Sequence, residues 1–138
     1  MNDSKKLYTS YLETICIWLY ARGFCVNFDT DGDDALYKSS KFISIKNTRS
    51  IETQLHVLLH ECGHILVDKS DFINGEKEVL RRYNKKSKIY KTFTIIEEVE
   101  AWRRGLKLAK KLAIPINKEK WNRDMARALE SYMKWAVN

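Results

Sequence analysis

No stretch of this chain contains the ~18 to 20 uninterrupted apolar residues needed to span a membrane, and the opening MNDSKKLYTSYLET lacks the continuous apolar core of a secretory signal. The expectation is a cytoplasmic protein with no membrane partner. Cysteine is scarce: Cys16, Cys25 and Cys62 are odd in number and show no CxxC spacing, which argues against both a disulfide framework and a cysteine zinc knuckle. Buried, reduced thiols are expected instead. Repeats, low-complexity tracts and interdomain linkers are absent. Histidine is limited to His56, His60 and His64.

What is there fits one globular domain. At 138 residues, 44% hydrophobic, 31% charged and 12% aromatic, the chain can bury an ordinary core and is not composed like a disordered one. The net charge of +7 is unevenly placed: residues 1–67 carry 7 Lys/Arg against 8 Asp/Glu, and residues 68–138 carry 18 against 10. A basic half of this kind can attract nucleic acid or an acidic protein, although a solvated surface is the commoner outcome.

The apolar pattern predicts an α+β fold. Leu7, Tyr11, Ile15, Trp18 and Leu19 stand at helical spacing over 4–22, and Gly23 follows as a stop. FCVNF, ALYK and KFISIK within 24–46 read as short strands of a small antiparallel sheet. Between the first two, DTDGDD reads as a turn. A calcium loop of the EF-hand type would need glutamate at its twelfth position, where Ser40 stands. Ser50 caps a helix over 50–67. Residues 68–91 have no sustained period and read as a loop. Thr92 or Thr94 opens a helix that runs to Ala113 ahead of Pro115. Asn117 caps a last helix to 137, with Trp121, Met125, Leu129, Tyr132 and Trp135 as its stripe.

The chemistry lies in HECGH, residues 60–64, within TQLHVLLHECGHILV. Residues four apart on a helix share a face, so His60 and His64 can aim two imidazole nitrogens at one ion. Glu61 is offset to one side, which suits a base that takes a proton from water as the water attacks a carbonyl, and Gly63 removes bulk beside the site. The spacing is that of peptide or amide hydrolysis with Zn2+ as cofactor. His56 lies one turn before His60, but ligands from three consecutive turns of a straight helix converge badly on a tetrahedral ion, so it reads as a flanking residue.

A catalytic zinc site takes three protein ligands, and the third must be a residue other than histidine. Glu97, Glu98 and Glu100 are the candidates. At about 100° per residue counted from Ile95, the positions Ala101, Trp102, Gly105, Leu108, Ala109 and Leu112 cluster around 280°, with Glu98 near 300°, Glu97 near 200° and Glu100 near 140°. Glu98 is therefore the carboxylate on the apolar face. Burying it costs several kcal/mol unless a cation compensates.

HECGH followed by EVEAW at 98–102 resembles the gluzincin type of zinc metallopeptidase, in particular the ImmA/IrrE-like family, including its short phage-type members. The likeness spans roughly residues 40–110, and only HExxH is strict. It implies a zincin-like domain with His60, His64 and Glu98 as metal ligands and Glu61 as base. It also implies that KFISIK is the strand beside the active helix, its edge taking an extended protein substrate such as a repressor or regulator. Trp102 stands where the family has Asn or Asp. Two other functions remain open: a zinc-stabilised protein- or nucleic-acid-binding module without turnover, and a hydrolase of non-peptide amides. Tyr83 and Tyr90, in the expected loop, are within chain reach of the site but are of the type that more often packs as an anchor.

Overall fold

Three side chains set where the long helices around the site begin. Ser50 Oγ accepts the Thr53 N–H at 3.2 Å, Ser87 Oγ the Tyr90 N–H at 3.2 Å, and Asn117 Oδ1 the Lys120 N–H at 3.1 Å. Each satisfies a donor that the first helical turn leaves without a partner. The computed structural model of the chain describes residues 3–68 and 81–138. Among these, the elements run α1 (Asp3–Tyr20), β1 (Cys25–Asp29), β2 (Ala35–Tyr37), β3 (Phe42–Lys46), α2 (Ile51–Asp68), α3 (Lys88–Lys111) and α4 (Lys118–Val137). The fold is α+β, with a three-stranded sheet against the helices.

The helix bearing Glu98 starts at Lys88 rather than at Thr92 or Thr94, because Ser87, inside the basic run RRYNKKSKIYK, supplies the cap. Thr92 and Thr94 instead turn their hydroxyls onto the Lys88 and Tyr90 carbonyls one turn earlier, at 2.7 and 2.9 Å. The expected 68–91 loop thus yields its end to α3, and its 69–80 portion lies outside the described residues. After Lys111 the chain leaves the helix through Ala113, whose φ is +58°, ahead of Pro115.

The sheet is mixed, not antiparallel throughout. β2 pairs antiparallel with β3, Leu36 opposite Ile43, but β1 pairs parallel with β3, from Cys25 opposite Phe42 to Asp29 opposite Lys46. Two reversals cause this: the chain turns back after β1 and again between Tyr37 and Phe42, so β3 regains the direction of β1 and enters between the other two strands. The acidic turn uses its own carboxylates, Asp29 Oδ1 accepting the Asp31 N–H at 3.2 Å and Asp34 Oδ1 the Lys46 N–H at 2.8 Å. As the middle strand, β3 buries both faces, Ile43 and Ile45 on one and Ser44 on the other. Its edges are both paired, so KFISIK has no free edge for a substrate strand. Among the described residues, the open edges belong to β1 and β2.

Ile15 and Leu19 of α1, Ile43 and Ile45 of β3, and Leu55, Leu58 and Leu59 of α2 are wholly buried and form the heart of the core. Each such side chain contributes roughly 1.5–3 kcal/mol of burial free energy. Cys62 belongs to this core, Cys16 is half-buried, and Cys25 is exposed: it opens β1 on the outward face it shares with Asn27. The α4 stripe is buried only at its start. Trp121 is 2% exposed and Trp135 37%, with Met125, Leu129 and Tyr132 between.

Two glycines bring α2 and α3 together. A Cβ on Gly63 would stand 1.8 Å from the Ala101 carbonyl oxygen, and one on Gly105 2.5 Å from that of Leu59. Residue 63 thus opposes 101 while 59 opposes 105, so the helices run antiparallel at near backbone contact. No described helix is long and apolar enough to cross a membrane.

Candidate metal centre

Because α2 and α3 touch at Gly63 and Gly105, side chains beside the contact meet across a short gap. His60 Nε2 and His64 Nε2 both lie 2.9 Å from one oxygen, Oε2 of Glu98. The two imidazole rings are 4.6 Å apart. Glu61 approaches from the same turn of α2, its Oε1 3.3 Å from His60 Nδ1, and Glu97 Oε1 lies 3.9 Å from His64 Nδ1. Each imidazole therefore has a carboxylate toward its outer nitrogen, the arrangement that orients histidine ligands in metal sites. The ligand atoms of His60, Glu61 and His64 lie within 4.8 Å of one another.

Trp102 lies flat on the His60 ring, with centroids 4.4 Å apart and an interplanar angle of 12°. It fixes that ring by stacking. Glu100 turns away to Arg104 at 2.9 Å, with Arg103 at 3.9 Å, and takes no part in the cluster.

The electrostatics follow from burial. Glu98 is 6% exposed, and desolvation alone would raise its pKa; hydrogen bonds and charge from His60 and His64 overcome that and hold it well below the usual carboxylate range. Burial would likewise lower the histidines. The neighbouring carboxylates of Glu97 and Glu98 instead raise His64 to about 10, and those of Glu61 and Glu98 raise His60. In the chain alone, the proton on His64 supplies positive charge that a buried carboxylate demands. Two imidazole nitrogens, each 2.9 Å from one buried carboxylate oxygen, are also the donor types of a zinc site that keeps an open position. The residues present therefore fit a zinc ion.

A cleft of about 330 Å³ opens over the cluster. His60, Glu61, Glu98 and Trp102 form its floor, Asp34 and Arg49 one side, and Asp124, Arg127, Ser131 and Tyr132 of α4 another. The pKa of Tyr132 is raised, first by burial and then by its interaction with the Glu98 carboxylate, so its hydroxyl stays protonated and faces the cluster. Sequence reasoning missed the α4 wall. Tyr83 is exposed and Tyr90 packs edge-on against Trp135 at 6.5 Å, and neither lines the cleft.

His56 does not join the cluster. Its Nδ1 lies 2.7 Å from Asp124 Oδ2, which also accepts the Thr53 hydroxyl at 3.2 Å, and its ring meets Trp121 edge-on. Asp124, 6% exposed, thereby ties the start of α4 to α2. The signal was present in the sequence: Asp124 stands three residues from Trp121 and one from Met125, a carboxylate on an apolar face as Glu98 is. Comparison with protein-family models, curated proteins and solved structures gives no match.

Proposed function

We propose that the chain is a zinc-dependent endopeptidase of cytoplasmic, ImmA/IrrE-like type, acting on a protein substrate such as a repressor or regulator. The observation that carries this is the convergence of His60 Nε2 and His64 Nε2 on one Glu98 oxygen, with Glu61 beside them in an open cleft. His60, His64 and Glu98 would hold the ion. Bound there, zinc supplies Lewis acidity toward a carbonyl oxygen and makes a water easier to deprotonate.

The chain's own residues do the rest. Glu61 takes the proton from the attacking water and returns it to the leaving amine. Tyr132, protonated, and Arg127 present donors from α4 to the carbonyl oxygen as it gains charge. Trp102 and Glu97 hold the two imidazoles in orientation. An extended substrate adds to the open edge of β2, whose flanks are anchored toward the two ends of α2 by Asp34 with Arg49 and by Lys38 with Asp68 at 2.7 Å.

The test uses zinc-loaded wild type and Glu61→Gln on a library of denatured cellular protein, with newly formed N-termini counted and metal content measured alongside. New termini should appear with wild type alone, while both proteins hold one zinc. His60→Ala and Glu98→Ala should lose the metal and Glu100→Ala keep it. Identical termini from wild type and Glu61→Gln would defeat the peptidase assignment, and full zinc occupancy in Glu98→Ala would defeat the ligand set.

A further inference from the structure

A second hollow, of about 430 Å³, shares no residue with the cleft and gathers positive charge where α1, α2 and α3 meet. Its walls carry Arg22, just past α1, and Arg104, Lys107 and Lys111 along α3. Its floor is apolar, with Trp18 of α1 and Leu66 of α2. Arg104 is paired with Glu100. Among the described residues, Arg22, Lys107 and Lys111 have no carboxylate within ion-pair distance. Lys107 and Lys111 stand one turn apart on α3, both exposed, a like-charge spacing that disfavours the helix slightly unless an anion lies over it.

Arg22 is already set in place: its guanidinium lies 3.7 Å over the Trp18 ring, and Nη1 donates to the Trp18 carbonyl at 3.0 Å. A guanidinium so held has further N–H donors to offer, at a smaller ordering cost than a free side chain. The stack also identifies the partner class. Single-stranded nucleic acid binds such basic grooves by laying bases on open aromatic faces, and Arg22 covers a face of Trp18. The cations and apolar floor match instead a segment that alternates carboxylates with aliphatic side chains.

We propose that this hollow is a docking site for an acidic, partly apolar segment of a protein partner, its carboxylates on Lys107, Lys111 and Arg22 and an aliphatic side chain on Leu66 and Trp18. The site accounts for part of the basic excess in the second half of the chain, and it needs neither the metal nor turnover. The experiment is fluorescence anisotropy of the full chain with three labelled probes: a glutamate–leucine amphipathic peptide, a glutamate peptide without leucine, and single-stranded oligo-dT. The glutamate–leucine peptide should bind best. The double variant Lys107→Glu/Lys111→Glu, altered only at exposed positions, should weaken it roughly tenfold or more, about 1.4 kcal/mol, while Glu61→Gln leaves it unchanged. No binding, equal binding to the double variant, equal binding of the leucine-free peptide, or tighter binding of oligo-dT would each overturn the proposal.

Discussion

Replacing Gly63 by alanine tests whether the approach of α2 and α3 builds the proposed metal centre. In an isolated helix the change would help, since alanine is favoured over glycine by about 1 kcal/mol. Here the new methyl carbon would lie 1.8 Å from the Ala101 carbonyl oxygen and 2.7 Å from its carbon. Both neighbours are backbone, so no side chain can swing aside, and α3 must shift by about an ångström or more. Overpacking of this kind costs about 3 kcal/mol, at the upper end of its usual range. The net loss is about 2 kcal/mol, which for a chain of this size lowers Tm by roughly 7 °C. The shift also carries Glu98 away from His60 and His64, and a site held an ångström too loose binds its ion more weakly. Thermal melting of the metal-free protein measures the first effect, and calorimetric zinc titration the second. A variant with unchanged or higher Tm and undiminished zinc affinity would refute the argument that glycine is there for the approach. Gly105→Ala, against Leu59 at 2.5 Å, should behave alike but more mildly.

The pH dependence follows from the same cluster. With His64 raised from 6.5 to about 10, its pairing stabilises the metal-free fold fully below pH 6.5 and fades as pH rises toward 10. Glu98, held below 4.5, stabilises above that value and loses its contribution as pH falls below it. Zinc needs both imidazoles deprotonated, so the gap in Tm between zinc-loaded and metal-free protein should widen from about pH 6 to about pH 8.5; a narrowing gap in differential scanning fluorimetry would contradict this. Asp124→Ala leaves His56 Nδ1 and the Thr53 hydroxyl without their acceptor in the interior, at a cost of about 3 kcal/mol, and a melt lowered by less than a few degrees would argue against the network. In a cleavage assay, Tyr132→Phe should lower kcat by roughly a hundredfold while zinc content stays intact; an unaltered kcat removes Tyr132 from the reaction.

The helical parts of the fold were legible because a 3.6-residue period repeats many times. The face that selected Glu98 is the buried face of α3: Ala101, Trp102, Gly105, Leu108 and Ala109 line it with Glu98. The sheet was harder to read. Strand direction depends on how reversals add up, and β2, with three residues, is too short to carry a pattern of its own. The strand expected to receive substrate proved to be the one with no open edge. The start of α3 was hidden because a capping serine sat among lysines, where composition suggested a loop. In the site, HECGH is local and could be read directly. Asp124 and Tyr132 belong to it only through the docking of α4, although an acid beside Trp121 was a clue of the same kind as Glu98.

The contact between Trp102 and His60 also makes the proposed metal centre observable without a label. An indole face 4.4 Å from an imidazole is sensitive to charge arriving on that ring, and Trp121 stands edge-on to the same indole at 5.1 Å. Protonation of His60, or an ion taken up by it, alters the surroundings of both chromophores at once. The native tryptophan emission therefore reports on the state of the centre as it forms, empties or fills.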